Sequence, residues 1–221
     1  MAYLFDTHVH TSETSNCGEV AAADVVKRYI DLGYDGICIT DHMNGSTSKR
    51  FPGTNKDLAD GFLKGYRAAK EAAGDKLKVI LGMEIRFPGY GNDYLVFGLD
   101  EEFIYNHNMN GFKSIEEFSE FAKENNLIVY QAHPFREDMT IIDWNLVDGI
   151  EVYNGHGGHD SSNEFALAWA KKRGKRMSSG SDFHRETGME PGGIYLDEMP
   201  DDAHDVARML RDNKYKLKIG D

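Results

Sequence analysis

The chain has 221 residues, 40% of them hydrophobic, which is enough for one well-buried domain and matches the size of a single α/β barrel. Its 25 Lys and Arg against 37 Asp and Glu give a net charge of -12, which repels a phosphodiester backbone and makes long nucleic acid a poor partner unless bound metal ions reverse the field locally. Two cysteines are too few for a disulfide framework, the amino terminus carries no basic leader, and the longest apolar runs are strand-sized, so a cytoplasmic chain with no membrane span is expected.

Short β-branched or aromatic runs alternate with helical patterns from end to end, the signature of a largely parallel sheet. A first strand is expected at Tyr3–Val9, ending in His8-Val9-His10. The helix after it carries Val25, Val26, Tyr29 and Ile30 as an apolar stripe and stops at Gly33. The second strand, Gly36–Thr40, runs into Asp41-His42, and a longer helix with Leu58, Phe62, Leu63 and Tyr66 on one face ends at Gly74. The third strand, Val79–Glu84, closes on a carboxylate, and the fourth is Tyr94–Gly98. Ser114-Ile115-Glu116-Glu117 reads as a capping box opening a helix whose Ile115, Phe118 and Phe121 face inward. The fifth strand, Leu127–Gln131, meets Ala132-His133-Pro134, and the sixth, Gly149–Tyr153, meets Asn154-Gly155-His156. Ser161 with Glu164 repeats the capping device before Phe165, Ala168 and Trp169. The seventh strand, Arg176–Ser181, leads to Asp182-Phe183-His184, and a final helix over Asp201–Asn213 presents Val206, Met209 and Leu210. Neither a linker nor a repeat interrupts this alternation, so one domain over residues 1–221 is expected, with the irregular stretches 44–56, 88–93, 100–113 and 136–143 walling its mouth.

Five of nine histidines fall at predicted carboxyl ends of strands, and in a parallel α/β barrel those ends converge on one mouth. His8 and His10 point to the same face of an extended strand, about 7 Å apart at the backbone. Asp182 and His184 repeat the spacing on the last strand, the neighbour of the first in a barrel. A carboxylate at Glu84, ending an apolar strand, needs a cation, a donor or solvent. It either bridges two metal ions or pairs with Arg86 two residues on. Mixed imidazole and carboxylate ligands suit zinc, manganese or iron rather than calcium or copper. Arg136 and Arg185 are placed for bidentate contacts with phosphoryl oxygens or, equally, for surface ion pairs. Asn154 is a candidate for positioning substrate, and His156 and His159, in a Gly-rich loop, read as solvent-exposed.

The order His8-x-His10, Thr40-Asp41-His42, Glu84, Ala132-His133-Pro134 and Gly180-Ser181-Asp182-x-His184 resembles the polymerase and histidinol phosphatase (PHP) family of metal-dependent phosphoesterases, from Asp6 to about Gly193. The resemblance implies a distorted TIM-like (β/α)7 barrel with its metal site at the carboxyl ends of the strands. By it, His8, His10, Glu84 and Asp182 surround a first metal, Glu84 bridges to a second held also by His133, and His42 and His184 hold a third. Asp41 is implied to orient a ligand or move a proton, and Asp41 or a metal-linked histidine to protonate the leaving group. Water activated by two to three divalent transition-metal ions (zinc, manganese or iron) then attacks a small phosphorylated substrate, a phosphomonoester or a nucleotide-type phosphoester.

Two positions depart from the family pattern. No histidine follows the fourth strand, which leaves the second metal's shell incomplete, weakly occupied, or completed by water, Asp100 or His107, and the loop after His10 offers Asn16 and Cys17 where a His or Asp is usual. The incomplete second shell motivates a catalytically idle metal-binding regulatory domain as one alternative. An amidohydrolase-like enzyme, using the same metal-activated water on a non-phosphate bond, is another. The sequence carries no signal for oligomeric state.

Overall fold

The seven apolar runs form the staves expected of them, and two of the seven are broken. The structure is a computed structural model that describes residues 2–220. The first run is β1 (Tyr3–Val9); the second splits into β2 (Gly36–Ile39) and β3 (His42–Met43); the third splits into β4 (Lys78–Leu81) and β5 (Met83–Ile85). The break in the third run falls at Gly82, where a Cβ would stand 2.8 Å from Thr40 Cγ2, so close packing against the second run requires glycine. Then come β6 (Tyr94–Phe97), β7 (Ile128–Gln131), β8 (Gly149–Asn154) and β9 (Arg176–Gly180), and a terminal pair, β10 (Gly192–Leu196) and β11 (Tyr215–Ile219), that the sequence reading did not include.

The strands form a five-stranded sheet, β11-β10-β1-β2-β4, and a six-stranded sheet, β3-β5-β6-β7-β8-β9. These meet at two seams. Gly82 N–H donates to Ile39 O and Glu84 N–H to Asp41 O where the broken runs cross from one sheet to the other, and His10 N–H donates to Phe183 O where β1 lies beside the chain leaving β9. The result is a TIM-like α/β fold, but its sheets are mixed. β6 runs antiparallel to both β5 and β7, and β10 runs antiparallel to β1 and β11. The expectation of parallel staves fails at β6, with consequences for the site.

Helices pack on these sheets: α1 (Ala22–Asp31), α2 (Gly45–Arg50), α3 (Asn55–Ala73), α4 (Glu101–Asn106), α5 (Ile115–Glu124), α6 (Asn163–Arg173) and α7 (Ala203–Asp212). α1 and α3 bury the predicted stripes and stop at Gly33 and Gly74, both at positive φ, where glycine escapes the Cβ clash. α2 and α4 lie in stretches read as irregular; Asn44 and Asp100 cap them.

Two capping predictions need correction. Ser114 accepts from Glu117 N–H, but the Glu117 carboxylate turns to Lys113 N–H, one residue earlier than a capping box requires. Ser161 does not cap α6 at all, because its hydroxyl is bonded to Asn154 Oδ1. The inward face of α6 is Ala166 and Ala170 rather than Phe165, Ala168 and Trp169; Trp169 instead packs edge-on against Trp144 and under Arg173. α7 seats Val206, Ala207, Met209 and Leu210 against Phe5, Cys38, Leu95, Phe97 and Ile128.

Candidate metal centre

The register between β1 and β2 slips between Asp6 and Val9, a bulge of the kind that re-aims side chains beside functional sites. Asp6 braces it, accepting from His8 N–H, Ser181 N–H and Tyr29 Oη–H; burial raises its carboxyl to about 6 against these bonds. His8 and His10 then bring their Nε2 atoms 3.1 Å apart. Asp182 Oδ1 lies 3.3 Å from both, and Glu84 Oε2 lies 3.5 and 3.2 Å from them. Glu84 also meets His42 Nδ1 at 2.9 Å and, through Oε1, His133 Nε2 at 3.2 Å. The seven metal-ligand candidates from the sequence therefore converge, with Glu84 in the middle of four imidazoles. Arg86 is not its partner; the guanidinium turns to Asp93.

The groups are buried with too few partners. Glu84 Oε2, Asp182 Oδ1, His42 Nδ1 and His133 Nδ1 are shielded from solvent without a hydrogen bond of good geometry, although a buried unpaired carboxylate oxygen is costly. His133 and Asp182 also hold positive φ values of 26° and 51°, strained for residues with a Cβ. Three sets place ligand atoms within 4.8 Å of one another: His8, His10 and Asp182; His10, His42 and His184; and His42, Glu84 and Asp93. Orphaned oxygens and imidazole nitrogens facing one space are what a divalent cation would satisfy, so the donor set fits the metal that the sequence implied.

Electrostatics point the same way. Burial pulls His8 and His42 down, but the surrounding carboxylates, Asp182, Glu151 and Glu84 for His8 and Glu84 for His42, outweigh it and hold both well above the usual imidazole range. Burial likewise opposes ionisation of Glu84 and Asp182, yet the neighbouring histidines keep both well below the usual carboxylate range. The carboxylates are thus charged and concentrated where positive charge must gather.

Around these groups lies a layer that sets their orientation. Glu151, on β8, accepts from His8 Nδ1 at 2.8 Å, from His133 N–H and from Asn154 Nδ2, which turns His8 Nε2 toward the site. His10 Nδ1 lies 3.1 Å from Ser15 Oγ, which donates to Asp41 Oδ1 at 2.6 Å. Asp41 is buried among Thr11 and Ser15 donors, the surroundings of an orienting residue. Asn154 is buried too, donating to Glu151 and Asp182, and so holds the site rather than lining its surface. Sequence reasoning missed Glu151 as an orienting group; a carboxylate at an inward position of an apolar strand was the available signal.

The reversal of β6 redraws the second-metal position. Its carboxyl end, Gly98, packs against Ala207 of α7, away from the histidines, while its amino end brings Asp93 to the mouth. Asp93 Oδ2 stands 3.8 Å from His133 Nε2 and is paired with Arg86 and Arg136. Asp100 and His107 are excluded from this role: Asp100 caps α4 and meets His204 on the surface, and His107 stacks on Phe103. Arg136 therefore faces a buried acid at the mouth, not a surface carboxylate, while Arg185 lies exposed beside the loop at Gly158.

His156 and His159 are not solvent-exposed as read from sequence. The rings stack at 4.2 Å, with His156 5.1 Å from His184 and His159 6.0 Å from His133, and burial pushes each down to about 4. They roof the mouth. A separate cleft of about 900 Å³, lined by Lys78, Asp100 and Asp201, contains none of the mouth residues.

A TIM-like α/β fold with histidines and acids clustered at one strand-end mouth defines a class of metal-site proteins, and the sequence pattern of the PHP domain matches residues 6–174. The chain belongs to the PHP domain family. Asp182 and His184 lie beyond the matched span but complete the same cluster. Among solved structures, the fold is similar to a two-domain protein from Bacteroides vulgatus described as containing a predicted PHP-like metal-dependent phosphoesterase, at TM-score 0.72 and 18% identity. All of this chain and 65% of that one are covered, so the chain spans less than two thirds of that protein. A protein from Bifidobacterium adolescentis, predicted to be a metal-dependent phosphoesterase, matches at TM-score 0.57 and 18% identity, covering 93% of this chain and 95% of that one. The lesion-specific endonuclease of Pyrococcus furiosus matches at TM-score 0.61 and 14% identity, over 98% of this chain and 58% of the endonuclease. No curated protein sequence matches the chain. No helix among the described residues is long and apolar enough to cross a membrane.

Proposed function

We propose that this chain is a metal-dependent phosphoesterase that hydrolyses a small phosphorylated substrate, a phosphomonoester or nucleotide-type phosphoester, within one catalytic domain. The observation that carries this is the group of buried, unpartnered ligand atoms on Glu84, Asp182, His42 and His133, set beside two guanidinium groups at the same mouth. His8, His10, Glu84 and Asp182 would hold a first metal, Glu84, His133 and Asp93 a second, and His42 and His184 a third, with zinc, manganese or iron suited to these donors. When bound, such ions supply Lewis acidity toward phosphoryl oxygens and lower the pKa of water to near neutrality.

The protein's own residues do the rest. Glu151 fixes the His8 tautomer, and the Ser15 and Asp41 relay fixes that of His10. Arg136 and Arg86 are positioned to receive phosphoryl oxygens by exchanging part of their contact with Asp93, and Arg185 to receive them from the rim. His156 and His159 over the mouth limit the size of what enters. The net charge of -12 favours a small phosphate over a long polyanion.

A panel of phosphomonoesters, short phosphodiesters, lactones and amides, tested with protein reconstituted separately with zinc, manganese and iron, examines the reading. Phosphate release from phosphomonoesters or nucleotides supports it. Turnover confined to lactones or amides replaces it with an amidohydrolase-like activity, and no turnover with any metal replaces it with an idle metal-binding domain.

A further inference from the structure

The loop between β1 and α1 does more than connect them. Ser15 N–H donates to Thr11 O and Gly18 N–H to Ser15 O, and Thr14 Oγ is anchored to Phe62 O on α3. A Cβ at Gly18 would stand 2.7 Å from Thr11 O, so the turn closes this tightly because glycine is there. Just past it, Glu19 N–H donates to His184 O. The loop is therefore tied on one side to the helix layer and on the other to the backbone of His184, and Cys17 lies between those ties.

The Cys17 Sγ is 3.1 Å from His184 Nε2 and within hydrogen-bonding reach of His42. His184 Nδ1 donates to Asp182 O at 3.0 Å, so Nε2 is the ring atom that meets the sulfur. The ligand nitrogens of His10, His42 and His184 lie within 4.8 Å of one another. Independently, the Glu84 carboxylate, 1% exposed, aims Oε2 at this space 2.9 Å from His42 Nδ1, buried without a hydrogen bond of good geometry. Two ligands of one tetrahedral zinc, with bonds of about 2.3 Å to sulfur and 2.0 Å to nitrogen, stand about 3.5 Å apart, close to the separation found here.

We propose that Cys17 is a sulfur ligand of the metal ion held by His42 and His184, so that this position, where a His or Asp is usual, becomes a sulfur-containing site. The inference rests on the proposed metal centre and deepens it. Thiolate favours zinc, cobalt and cadmium over manganese and magnesium, so the position selects soft cations while the oxygen-rich position around Asp93 does not. Cys17 is exposed, whereas Cys38 is fully buried in the apolar cluster under α7, so only one thiol answers a reagent in the folded protein.

The test loads metal-free protein with cobalt(II). Wild type is expected to show visible ligand-field bands together with a near-ultraviolet thiolate-to-cobalt charge-transfer band, and Cys17→Ser to keep the first and lose the second. Cys17→Asp, which places a carboxylate donor there, is expected to bind as much cobalt as wild type without the charge-transfer band. Alkylation of Cys17 by iodoacetamide is expected to slow by about tenfold or more on zinc loading and to recover with chelator, because a coordinated thiolate is withdrawn as a nucleophile. Ligand-field bands without charge transfer, and alkylation indifferent to zinc, would overturn the sulfur ligand while leaving the metal centre standing. Absence of any cobalt binding would overturn both.

Discussion

Three imidazoles at the mouth have one nitrogen committed to a fixed partner: His8 to Glu151, His10 to Ser15 and His184 to the Asp182 carbonyl. Each commitment leaves the other nitrogen for a ligand, which is why the acids around the histidines matter as much as the histidines themselves. The acids also fix a pH response. Burial draws His184 down, but Asp182 and Cys17 push it up to about 10, so protonation is favoured by folding. That stabilisation is fully present below the unfolded imidazole value of about 6.5 and is lost as pH rises through the folded value. Cys17, lowered against burial to about 5 by the same contact, takes up a proton on unfolding and cancels His184 up to about pH 9, but His8 and His42, held against burial well above the usual imidazole range by the carboxylates, release theirs. Metal-free protein is therefore expected to melt at lower temperature as pH is raised from about 6.5 toward 10. His42→Asn should flatten the trend, and a metal-free melting temperature that climbs over this range would contradict it. The ligands at this scale were legible because few other uses place His and acid at strand ends. Glu151, His156 and His159 were not, since their roles depend on what a neighbouring strand or loop presents to them.

At the scale of elements, one reversed strand changes which acid reaches the site. Periodicity reports that Tyr94–Phe97 is a buried strand but says nothing about its direction, and a parallel strand would present its carboxyl end, with Asp100 and His107 beyond it, to the mouth. With β6 antiparallel to both neighbours, the acid at the mouth is Asp93. Asp93→Ala should reduce bound metal by about one equivalent. Asp100→Ala should keep all of it and lose about 1 kcal/mol of stability with the cap on Phe103 N–H. Metal loss in the Asp100 variant instead would return the ligand to the other end. α3 offers a second test, because Gly65 lets the helix approach the Thr11 and Asp41 side chains, where a Cβ would collide with both. Gly65→Ala gains helix propensity of up to about 1 kcal/mol, but overpacking of about 1 to 3 kcal/mol should prevail. Denaturant unfolding is expected to show a lower midpoint, and an unchanged or higher midpoint would show that the contact yields.

For the molecule as a whole, the alternation of strands and helices conveyed the α/β class and seven staves, while the antiparallel pair β10 and β11 escaped notice. Gly192-Gly193 begins one of these strands, and Tyr215–Ile219 alternates lysine with apolar residues, which reads as polar surface and acts as a charged edge that discourages pairing with other chains. The wider organisation serves the mouth. Strands from both sheets deliver its ligands across two seams, and a net charge of -12 draws divalent cations toward the protein while opposing long polyanions. Everything proposed for function depends on Glu84 linking metal positions rather than completing one. Elemental analysis of wild type and Glu84→Ala, purified without chelator, measures that directly. Two to three equivalents of transition metal per chain are expected in wild type, as an order of magnitude for a bridged site, with a fall of more than one equivalent in the variant; loss of one equivalent or none would contradict the bridge.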